Sequence, residues 1–414
     1  MQFKKYYLLF SGIFFLFQNV HGHTPKPSGS NQPYKQEGEI FKAVEHLDKY
    51  VGCSGNIRAG YIESSIGSDK TLSANAIGGK LGCGYTFNEN IKVHLGLYTS
   101  LDTGLNRSDD NNIQDDFFNN KKDGYILLGE AYLNFNIDKF EFHLGRQKLD
   151  TPHFDADDLR MIPNLFEAYI FDYHASDNLY FGSGFVREMS GWENGADRAD
   201  FIGVGDAFGG NGGSAWVSWI NYEYYQLSTS LWYYLIPDHL HIVFAEIIYE
   251  DHITDQIAYT FGLQYDWGHN AGANRLDAIH ANTWGVFASL SGFDLTASFA
   301  YNQNYGGQGA ISSLGGGPFF TSMEELTLDA VSGDDASAFM LLVEYSPLDY
   351  LTVGGAFGKF KASDRSQFDV DEINVFVNVN WDKKVALEVM YANLDDKNTL
   401  ESDHQFRAIL TYKY

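Results

Sequence analysis

Apolar and polar side chains alternate along most of this chain. The pattern is clearest near the C-terminus, where Ile373–Trp381 and Val385–Tyr391 place apolar residues at every second position and the turn 381–384 joins them. A period of two is typical of a β-strand with one apolar and one polar face. Comparable segments recur upstream, so the pattern predicts an all-β fold of about eighteen antiparallel strands.

The predicted connections between these strands alternate between short and long. The short ones are 88–90, 138–139, 175–178, 291–293, 346–349 and 381–384, and the long ones are 101–123, 150–167, 189–214, 268–280, 305–337 and 361–371. Short turns on one side and long loops on the other are typical of an outer-membrane β-barrel. Two connections fit this pattern less well, because 222–227 carries no clear turn signal and 250–256 is long for its side.

A soluble β-sandwich would also show alternation, and the aromatic residues distinguish the two folds. Aromatic residues on the apolar face near strand ends are Tyr61, Tyr85, Phe87, Trp381, Tyr391, Tyr412 and Tyr414. In membrane barrels, such residues form the girdles at the two membrane interfaces. The sequence therefore favours a transmembrane antiparallel β-barrel, with short periplasmic turns, long extracellular loops and a polar face that lines a water-filled lumen.

The N-terminal residues follow a different pattern. Two lysines precede an apolar run at 6–17, and small residues follow it at the spacing that a signal peptidase requires. This run is too short to span a membrane and is typical of a cleaved secretory signal peptide. We therefore predict a signal peptide at 1–22, a periplasmic N-terminal segment at 23–50 and a barrel domain at 51–414. Apolar residues at helical spacing predict a short helix within 38–50.

Composition narrows the class of protein further. The 414 residues carry a net charge of −26, and loss of the two lysines with residues 1–22 would leave 414 − 22 = 392 residues and a charge of −28. A chain this acidic is not expected to bind nucleic acid. Aromatic residues make up 16% of the chain, and its 42 glycines far outnumber its 8 prolines, as in a β-rich membrane protein.

The two cysteines provide a test of the predicted register. If the first turn is centred on Ser68, antiparallel partners have residue numbers that sum to 136, and Cys53 and Cys83 meet this condition. Cross-strand Cα separations lie in or near the range that a disulfide permits, and exported proteins enter an oxidising compartment. We predict a Cys53–Cys83 disulfide near the periplasmic rim. The alternative is two free thiols that act as small apolar side chains.

One segment breaks the alternation between two strands. It reads GRQKLDTP at 145–152 and DDLRMIPNLFE at 157–167. This motif resembles the passage from the fifth strand into the third long loop of OprD-type outer-membrane porins, and Asn56–Ile62 resembles the opening strand in relatives of that family. The resemblance implies an eighteen-stranded barrel, either monomeric or homotrimeric, for passive and partly selective diffusion of small hydrophilic solutes and ions. It also implies that the third long loop folds into the lumen, opposite basic residues of the wall.

Carried onto this chain, the resemblance makes 150–167 the pore constriction loop. Its expected charged members are Asp155, Asp157, Asp158 and Arg160. An acidic loop that faces basic wall groups creates a transverse electric field across the pore. Such a field orients solutes that carry both signs of charge and sorts solutes by their charge.

Seven charged side chains are expected to line the pore: Arg58, Glu130, Arg146, Lys148, Arg187, Glu344 and Glu388. Alternation places Arg58 and the three glutamates on the polar face, and Arg58, Arg146, Lys148 and Arg187 are the candidate basic wall residues opposite the acidic loop. Arg58 alternates with apolar residues, and an arginine that faced lipid in mid-bilayer would cost about 2–4 kcal/mol. Strict alternation puts Arg146 on the apolar face, so its inward orientation requires a bulge at Gly145. The alternative for Arg146 is a position among the lipid headgroups.

Other chemistries are not indicated by the sequence. The acidic stretch Ser108–Asp116 has no calcium-loop spacing, and no Gly-x-Ser-x-Gly motif or nucleophile–base constellation stands out. We therefore predict no metal site, no cofactor and no enzyme activity. The expected partners are outer-membrane lipid and small solutes or ions. The alternatives are a non-conducting barrel that acts as an adhesin or receptor, and a barrel-embedded hydrolase.

Overall fold

A computed structural model describes residues 51–67, 70–106, 112–208, 213–272, 280–307, 309–399 and 401–414. The predicted signal peptide at 1–22 lies outside the described residues. The predicted N-terminal segment at 23–50, with its short helix, lies outside them too, and so do residues 108–111 of the acidic stretch.

The described residues form nineteen β-strands and little helix. The strands are β1 (Val51–Ile66), β2 (Lys70–Asn88), β3 (Ile91–Asp102), β4 (Tyr125–Ile137), β5 (Phe140–Gln147), β6 (Leu165–Ser176), β7 (Leu179–Ser190), β8 (Ile202–Gly203), β9 (Ala215–Tyr224), β10 (Leu227–Ile236), β11 (Leu240–Thr254), β12 (Ile257–Asn270), β13 (His280–Gly292), β14 (Leu295–Tyr305), β15 (Ser337–Leu348), β16 (Leu351–Lys361), β17 (Asp369–Trp381), β18 (Val385–Asp396) and β19 (Glu401–Lys413). The helices are α1 (Val204–Ala207) and the 3-10 turns Asp115–Phe117 and Leu328–Ala330. None of the helices in the described ranges is long and apolar enough to cross a membrane.

Eighteen of the described strands close into one antiparallel barrel. Each pairs with its neighbours in chain order, and β1 also pairs with β19, so the sheet closes on itself. Within the described residues, the two-residue strand β8 pairs only with β7, while β7 also pairs with β9. Because the sheet is closed, the backbone groups of every wall strand have hydrogen-bond partners on both sides, as a lipid environment requires. The predicted antiparallel barrel of about eighteen strands is therefore confirmed.

The connections fall into a short-turn rim and a long-loop rim. We number the connections on the long-loop rim L1 to L9 in chain order. Those used below are L2 (103–124), L3 (148–164), L4 (191–214), L7 (306–336) and L8 (362–368). Outer-membrane barrels place short turns in the periplasm and long loops outside the cell.

Both connections that fitted the pattern poorly are short turns. Strands β9 and β10 are joined at 225–226, where Tyr225 has a left-handed backbone conformation with φ 51°. Glycine and asparagine are the usual residues in that conformation, which explains the missing turn signal. Strand β11 extends to Thr254 after an irregularity in its register at His252, so only 255–256 remain as a turn.

The outward face of the barrel is apolar over its middle height. Leu97, Ile126, Phe261 and Val375 are exposed, and each alternates with inward-facing neighbours that are more buried. Exposed large apolar side chains arranged around a closed sheet form a surface suited to lipid.

The inward face is less polar than alternation predicts. Three apolar clusters join long loops to inward-facing wall residues: Phe117 and Phe118 of L2 with Ile62 and Ile409; Phe154 of L3 with Phe166 and Phe244; and Phe319, Phe320 and Met323 of L7 with Met340 and Phe360. Burial of one such side chain contributes about 1.5–3 kcal/mol. L2, L3 and L7 are therefore anchored to the wall by apolar packing.

The two cysteines lie on the first strand pair. Cys53 of β1 is the register partner of Cys83 of β2, and the sum of 136 holds along the whole pair. The structure joins them in a disulfide with a Cα–Cα distance of 4.1 Å. Both side chains belong to the outward face, toward the short-turn rim.

Candidate functional site

Asp158 of L3 is held between two cations. Arg58, which faces inward from β1, donates from Nη1 to Asp158 Oδ1 at 2.6 Å and to the carbonyl oxygen of Arg160 at 2.7 Å. Lys148 Nζ donates to Asp158 Oδ2 at 3.1 Å. Burial acts to raise the pKa of Asp158, but the charges and hydrogen bonds of Arg58 and Lys148 outweigh it and hold this pKa well below its usual range. Asp158 is therefore a carboxylate throughout the physiological pH range.

A second carboxylate, Glu130 of β4, lies on the same inner wall. Its Oε2 atom is 2.9 Å from Lys80 Nζ of β2 and 2.7 Å from His94 Nε2 of β3. Its Oε1 atom accepts a hydrogen bond from the Tyr98 hydroxyl at 2.8 Å. Lys148 also interacts electrostatically with Glu130, which links this group to Asp158.

Glu388, which faces inward from β18, interacts electrostatically with Arg58 from the other side. We call the connected set the charged network; its members are Arg58, Lys80, His94, Glu130, Lys148, Asp158 and Glu388. The network contains three permanent cations and three carboxylates. It therefore presents both signs of charge on one side of the inner wall.

Arg160 of L3 connects several loops to the wall. Its side chain is fully buried, and Nε donates to Asp116 of L2 at 3.0 Å, while Nη1 donates to Glu324 of L7 at 3.4 Å. The guanidinium also lies 4.7 Å from the ring centroid of Trp192 in L4. Glu324 in turn forms an ion pair with Arg407, which faces inward from β19. Four loops and one wall strand thus share one buried ionic cluster.

The backbones of L3 and L7 are also hydrogen-bonded directly. Asp155 N donates to Leu314 O at 2.9 Å, and Leu314 N donates to His153 O at 2.9 Å. This short bridge makes the position of L3 dependent on that of L7.

Asp155 and Asp157 are placed differently from Asp158. Asp155 Oδ1 accepts a hydrogen bond from the Asp157 backbone nitrogen at 2.7 Å, which stabilises the local turn. Asp157 is only 2% exposed, and its carbonyl oxygen accepts a hydrogen bond from Trp192 Nε1 at 3.3 Å. Asp158 is the predicted loop aspartate that forms ion pairs with Arg58 and Lys148.

Arg146 lies on the outer face, contrary to the prediction that it lines the pore. The register of β5 with both neighbours is unbroken at Gly145, although this glycine has φ 127°, so no bulge turns Arg146 inward. Its guanidinium packs 4.1 Å from the ring centroid of Phe201, and its Nε atom is 3.5 Å from Glu167 Oε2.

Arg187 lies on the outer face too, so its predicted pore-lining position is also corrected. It is 54% exposed and forms ion pairs with Glu167 and Glu188, each at 2.9 Å. The bulges in this region occur at Gly129 of β4 and at Arg187 itself. The bulge at Arg187 adds one residue to β7 and keeps the side chain outside the lumen.

The remaining predicted pore-lining residue, Glu344, faces inward from β15 and is 5% exposed. Sequence reasoning missed Asp116, Glu324 and Arg407. Arg407 did carry a signal, because it occupies the polar face of an alternating strand. Asp116 and Glu324 lie in irregular segments, where no periodicity indicates the direction of a side chain.

Within the described ranges, no group of three or more His, Cys, Asp or Glu residues could hold a metal ion.

Comparison with protein families identifies the class of this barrel. The family model described as "outer membrane porin, OprD family" matches residues 79–331, more than half of the chain. The chain belongs to the OprD family of outer-membrane porins. This porin is therefore a protein of the bacterial outer membrane, and the resemblance seen in the 145–167 motif is confirmed. A search of curated protein sequences found no match.

Solved structures of similar fold are also outer-membrane channels. They include Acinetobacter baumannii OccAB4 (16% identity, TM-score 0.74, 88% of this chain and 98% of that chain). Pseudomonas aeruginosa OccK9 (OpdG) gives 16% identity and a TM-score of 0.76 with the same coverage. Pseudomonas aeruginosa OpdK, in a structure with vanillate, gives 14% identity and a TM-score of 0.73, again over 88% of this chain and 98% of that chain. At these identities the likeness supports the fold of the porin.

Proposed function

We propose that this porin forms a water-filled channel for passive, partly selective diffusion of small hydrophilic solutes and ions, narrowed by the segment 150–167. The observation that carries the proposal is the attachment of Asp158 to Arg58, a residue 100 positions earlier on the inner wall. This contact, together with the burial of Arg160, supports a loop that folds into the lumen beside the charged network.

Selectivity follows from the arrangement of the network. Arg58, Lys80 and Lys148 oppose Asp158, Glu130 and Glu388, so a solute that passes meets both signs of charge within one short stretch. Side chains that carry charge at a narrow point act as a selectivity filter. Small solutes with both an amino and a carboxylate group suit such a field. Vanillate, found with OpdK, is a useful anionic test solute.

Planar-bilayer recording of the purified porin tests the channel itself. We expect discrete current steps, block by small zwitterions or by vanillate, and a reversal potential that reports the preference between cations and anions. A complete absence of current steps would favour the alternative of a non-conducting adhesin or receptor, and hydrolase activity with no current would favour the barrel-embedded hydrolase. Because each barrel has its own lumen, the test applies to a monomer and to a homotrimer.

The variant Asp158→Asn tests the constriction. Loss of this carboxylate leaves the charged network with three permanent cations and two carboxylates, an excess of one positive charge, so we expect the cation-to-anion permeability ratio to fall by about twofold. Asp364→Asn is the matched control, because this exposed L8 carboxylate lies away from the network. An unchanged reversal potential in Asp158→Asn would show that L3 does not form the charge-selective constriction.

A further inference from the structure

Histidines and glutamates form a continuous row across four neighbouring strands of the inner wall. We call it the histidine–glutamate row; it consists of His94 on β3, Glu130 on β4, Glu141 and His143 on β5, and His174 on β6. Each belongs to the face opposite the exposed apolar residues of its strand, such as Leu95 and Phe140. The row therefore faces the lumen.

The members of the row contact one another in two groups. His94 Nε2 is 2.7 Å from Glu130 Oε2. Glu141 lies between two imidazoles, since Oε1 is 3.0 Å from His143 Nε2 and Oε2 is 3.8 Å from His174 Nε2. The ring of Tyr132 connects the groups, with its centroid 5.1 Å from that of His94 and 6.2 Å from that of His143.

The row is in contact with lumenal water. The side chain of His174 is 35% exposed, that of His94 is 18% exposed and that of Glu141 is 15% exposed. Because these residues face inward, the exposed area opens into the lumen. Protons from the solution in the pore can thus reach His94 and His174 directly, whereas the side chain of His143 is only 6% exposed and contacts the more exposed Glu141.

Histidine is the side chain whose charge changes near neutral pH, and an adjacent carboxylate stabilises its charged form. With neutral imidazoles the row carries the two negative charges of Glu130 and Glu141. With all three imidazoles protonated, its net charge is +1. No other change in the wall is needed to reverse the sign of this surface.

Neighbouring charged and polar groups decide which histidines respond most. Glu130 is shared by Lys80 of β2, at 2.9 Å, and by the charge of Lys148, so His94 competes with two cations for this carboxylate. Glu141 accepts a hydrogen bond from Asn134 at 3.2 Å, and Asp172 of β6 adds a second carboxyl group beside it. The Tyr180 ring of β7 packs against His174 with centroids 4.9 Å apart. The contacts of Glu141 with His143 and His174 are separate from the ion pairs of Glu130.

We infer that the histidine–glutamate row, and His143 and His174 above all, determines a pH-dependent charge selectivity of the pore. Acidification adds positive charge to the wall and lowers the preference for cations, while alkaline pH restores it. The inference rests on the proposed function as a channel and assigns its selectivity to residues outside the 150–167 segment.

The experiment records reversal potentials of the full-length mature porin in a salt gradient at about pH 8 and about pH 5.5. We expect the cation-to-anion permeability ratio of the wild type to fall by at least about twofold on acidification. The double variant His143→Gln/His174→Gln should lose most of this change. His241→Gln is the matched control and should keep it, because His241 faces outward from β11 and contacts the Tyr233 hydroxyl at 2.8 Å.

The outcomes separate this inference from the proposed function. A wild-type channel with the same permeability ratio at both pH values, or a double variant that retains the full change, overturns the inference and leaves the channel intact. Absence of current steps in the wild type at both pH values overturns the proposed function itself. A second variant, Glu141→Gln, removes one negative charge from the row and should give a less cation-selective pore at about pH 8. Heat-dependent gel migration verifies that each variant forms a folded barrel.

Discussion

Arg160 holds together parts of the chain that are far apart in sequence. Its partners Asp116 and Glu324 lie 44 and 164 positions away, and all three side chains are buried. Removal of one partner from a buried ion pair leaves an uncompensated charge and typically costs about 3–5 kcal/mol. Glu324 retains Arg407, and Asp116 retains only the longer ion pair with Arg198 at 3.6 Å, so the main loss on removal of Arg160 falls on Asp116.

We predict that Arg160→Met loosens the packing of L2, L3 and L7 without unfolding the barrel. The expected result is a larger and noisier single-channel conductance and faster protease cleavage within these loops, by about tenfold or more. Arg365→Met is the control. Arg365 is 61% exposed, and its ion pair with Asp369 is long, at 3.9 Å, so its loss should cost little stability. Equal loop cleavage in Arg160→Met and wild type would contradict a stabilising role of Arg160.

Glu325 of L7 is a buried carboxyl group with an incomplete set of hydrogen bonds. Its Oε1 atom has no hydrogen-bond partner in the described part of the chain. Burial, and then the nearby carboxylates Glu324 and Glu372, raise the pKa of Glu325 well above its ordinary value. A carboxyl with a raised pKa favours the folded state below its ordinary pKa, and this contribution is lost as the pH rises through the raised value.

The variant Glu325→Gln cannot ionise, so we predict that it protects L7 selectively at high pH. Protease cleavage of L7 should be similar in wild type and variant at about pH 3, where the carboxyl is protonated in both the folded and the unfolded state, and slower in the variant at about pH 9. The exposed Glu89→Gln change in a short turn serves as control. A variant that offers no protection at the higher pH would show that Glu325 ionises without cost.

Single residues were predictable from sequence where a strand fixed the direction of the side chain. Strict alternation predicts the inward position of Arg58, and it puts Arg146 outside, where the structure places it. The error came from the assumed bulge at Gly145. A bulge depends on the partner strand: Gly129 lies at one and Gly145 does not, so a glycine within a strand does not by itself locate a bulge.

Whole strands were the most predictable elements. The bounds Tyr125–Ile137 and Phe140–Gln147 follow directly from alternation, whereas several other strands extend beyond the apolar pattern at their long-loop ends. The inward fold of L7 and its contacts with the wall could not be inferred from the sequence. The apolar residues that pack L7 against the wall lie in an irregular segment, where no periodicity shows which way a side chain points. Phe319, Phe320 and Met323 in a loop were the available signal, since such residues seldom stay exposed without a partner surface.

Because L3 is anchored by apolar packing, replacing its Phe154 side chain with alanine should weaken the docking of the loop. The Phe154 ring is fully buried, 5.2 Å from Tyr234 and 6.0 Å from Phe166 between centroids. Phe154→Ala should destabilise the docked loop by about 3–5 kcal/mol. We expect L3 to become accessible to protease and the current to fluctuate more in single-channel recordings.

Phe293→Ala is the matched control for this change. Phe293 is 73% exposed in a short turn, so the same truncation removes no buried contact. If both variants gave wild-type cleavage of L3, its position would depend on the ionic contacts of Asp158 and Arg160 and on the backbone hydrogen bonds with L7.

At the scale of the whole molecule, closure of β1 onto β19 determines what the Cys53–Cys83 disulfide can add. The bridge links strands that are already neighbours in a continuous barrel, over a sequence separation of 30. In the chain-entropy treatment a loop of this length gains about 3.5 kcal/mol from cross-linking. The bridge is therefore expected to raise the stability of the barrel and not to determine its fold.

We predict that the double variant Cys53→Ser/Cys83→Ser still shows heat-dependent gel migration, with conversion to the unfolded band at a lower temperature. Reductant should shift the wild type in the same direction and leave the variant unchanged. Failure of the double variant to form any heat-modifiable band would make the disulfide a requirement for barrel assembly.

The even number of wall strands brings both ends of the barrel domain to one rim. The backbones of Gly55 and Tyr414 exchange hydrogen bonds of 3.2 and 3.0 Å there, beside the short turns. An epitope fused after Tyr414 should be hidden from antibodies on intact cells and become detectable once the outer membrane is permeabilised. An epitope inserted in the exposed middle of L8 should label intact cells. Surface display of a foreign peptide on this scaffold therefore calls for insertion in a loop, because neither terminus of the barrel reaches the outside.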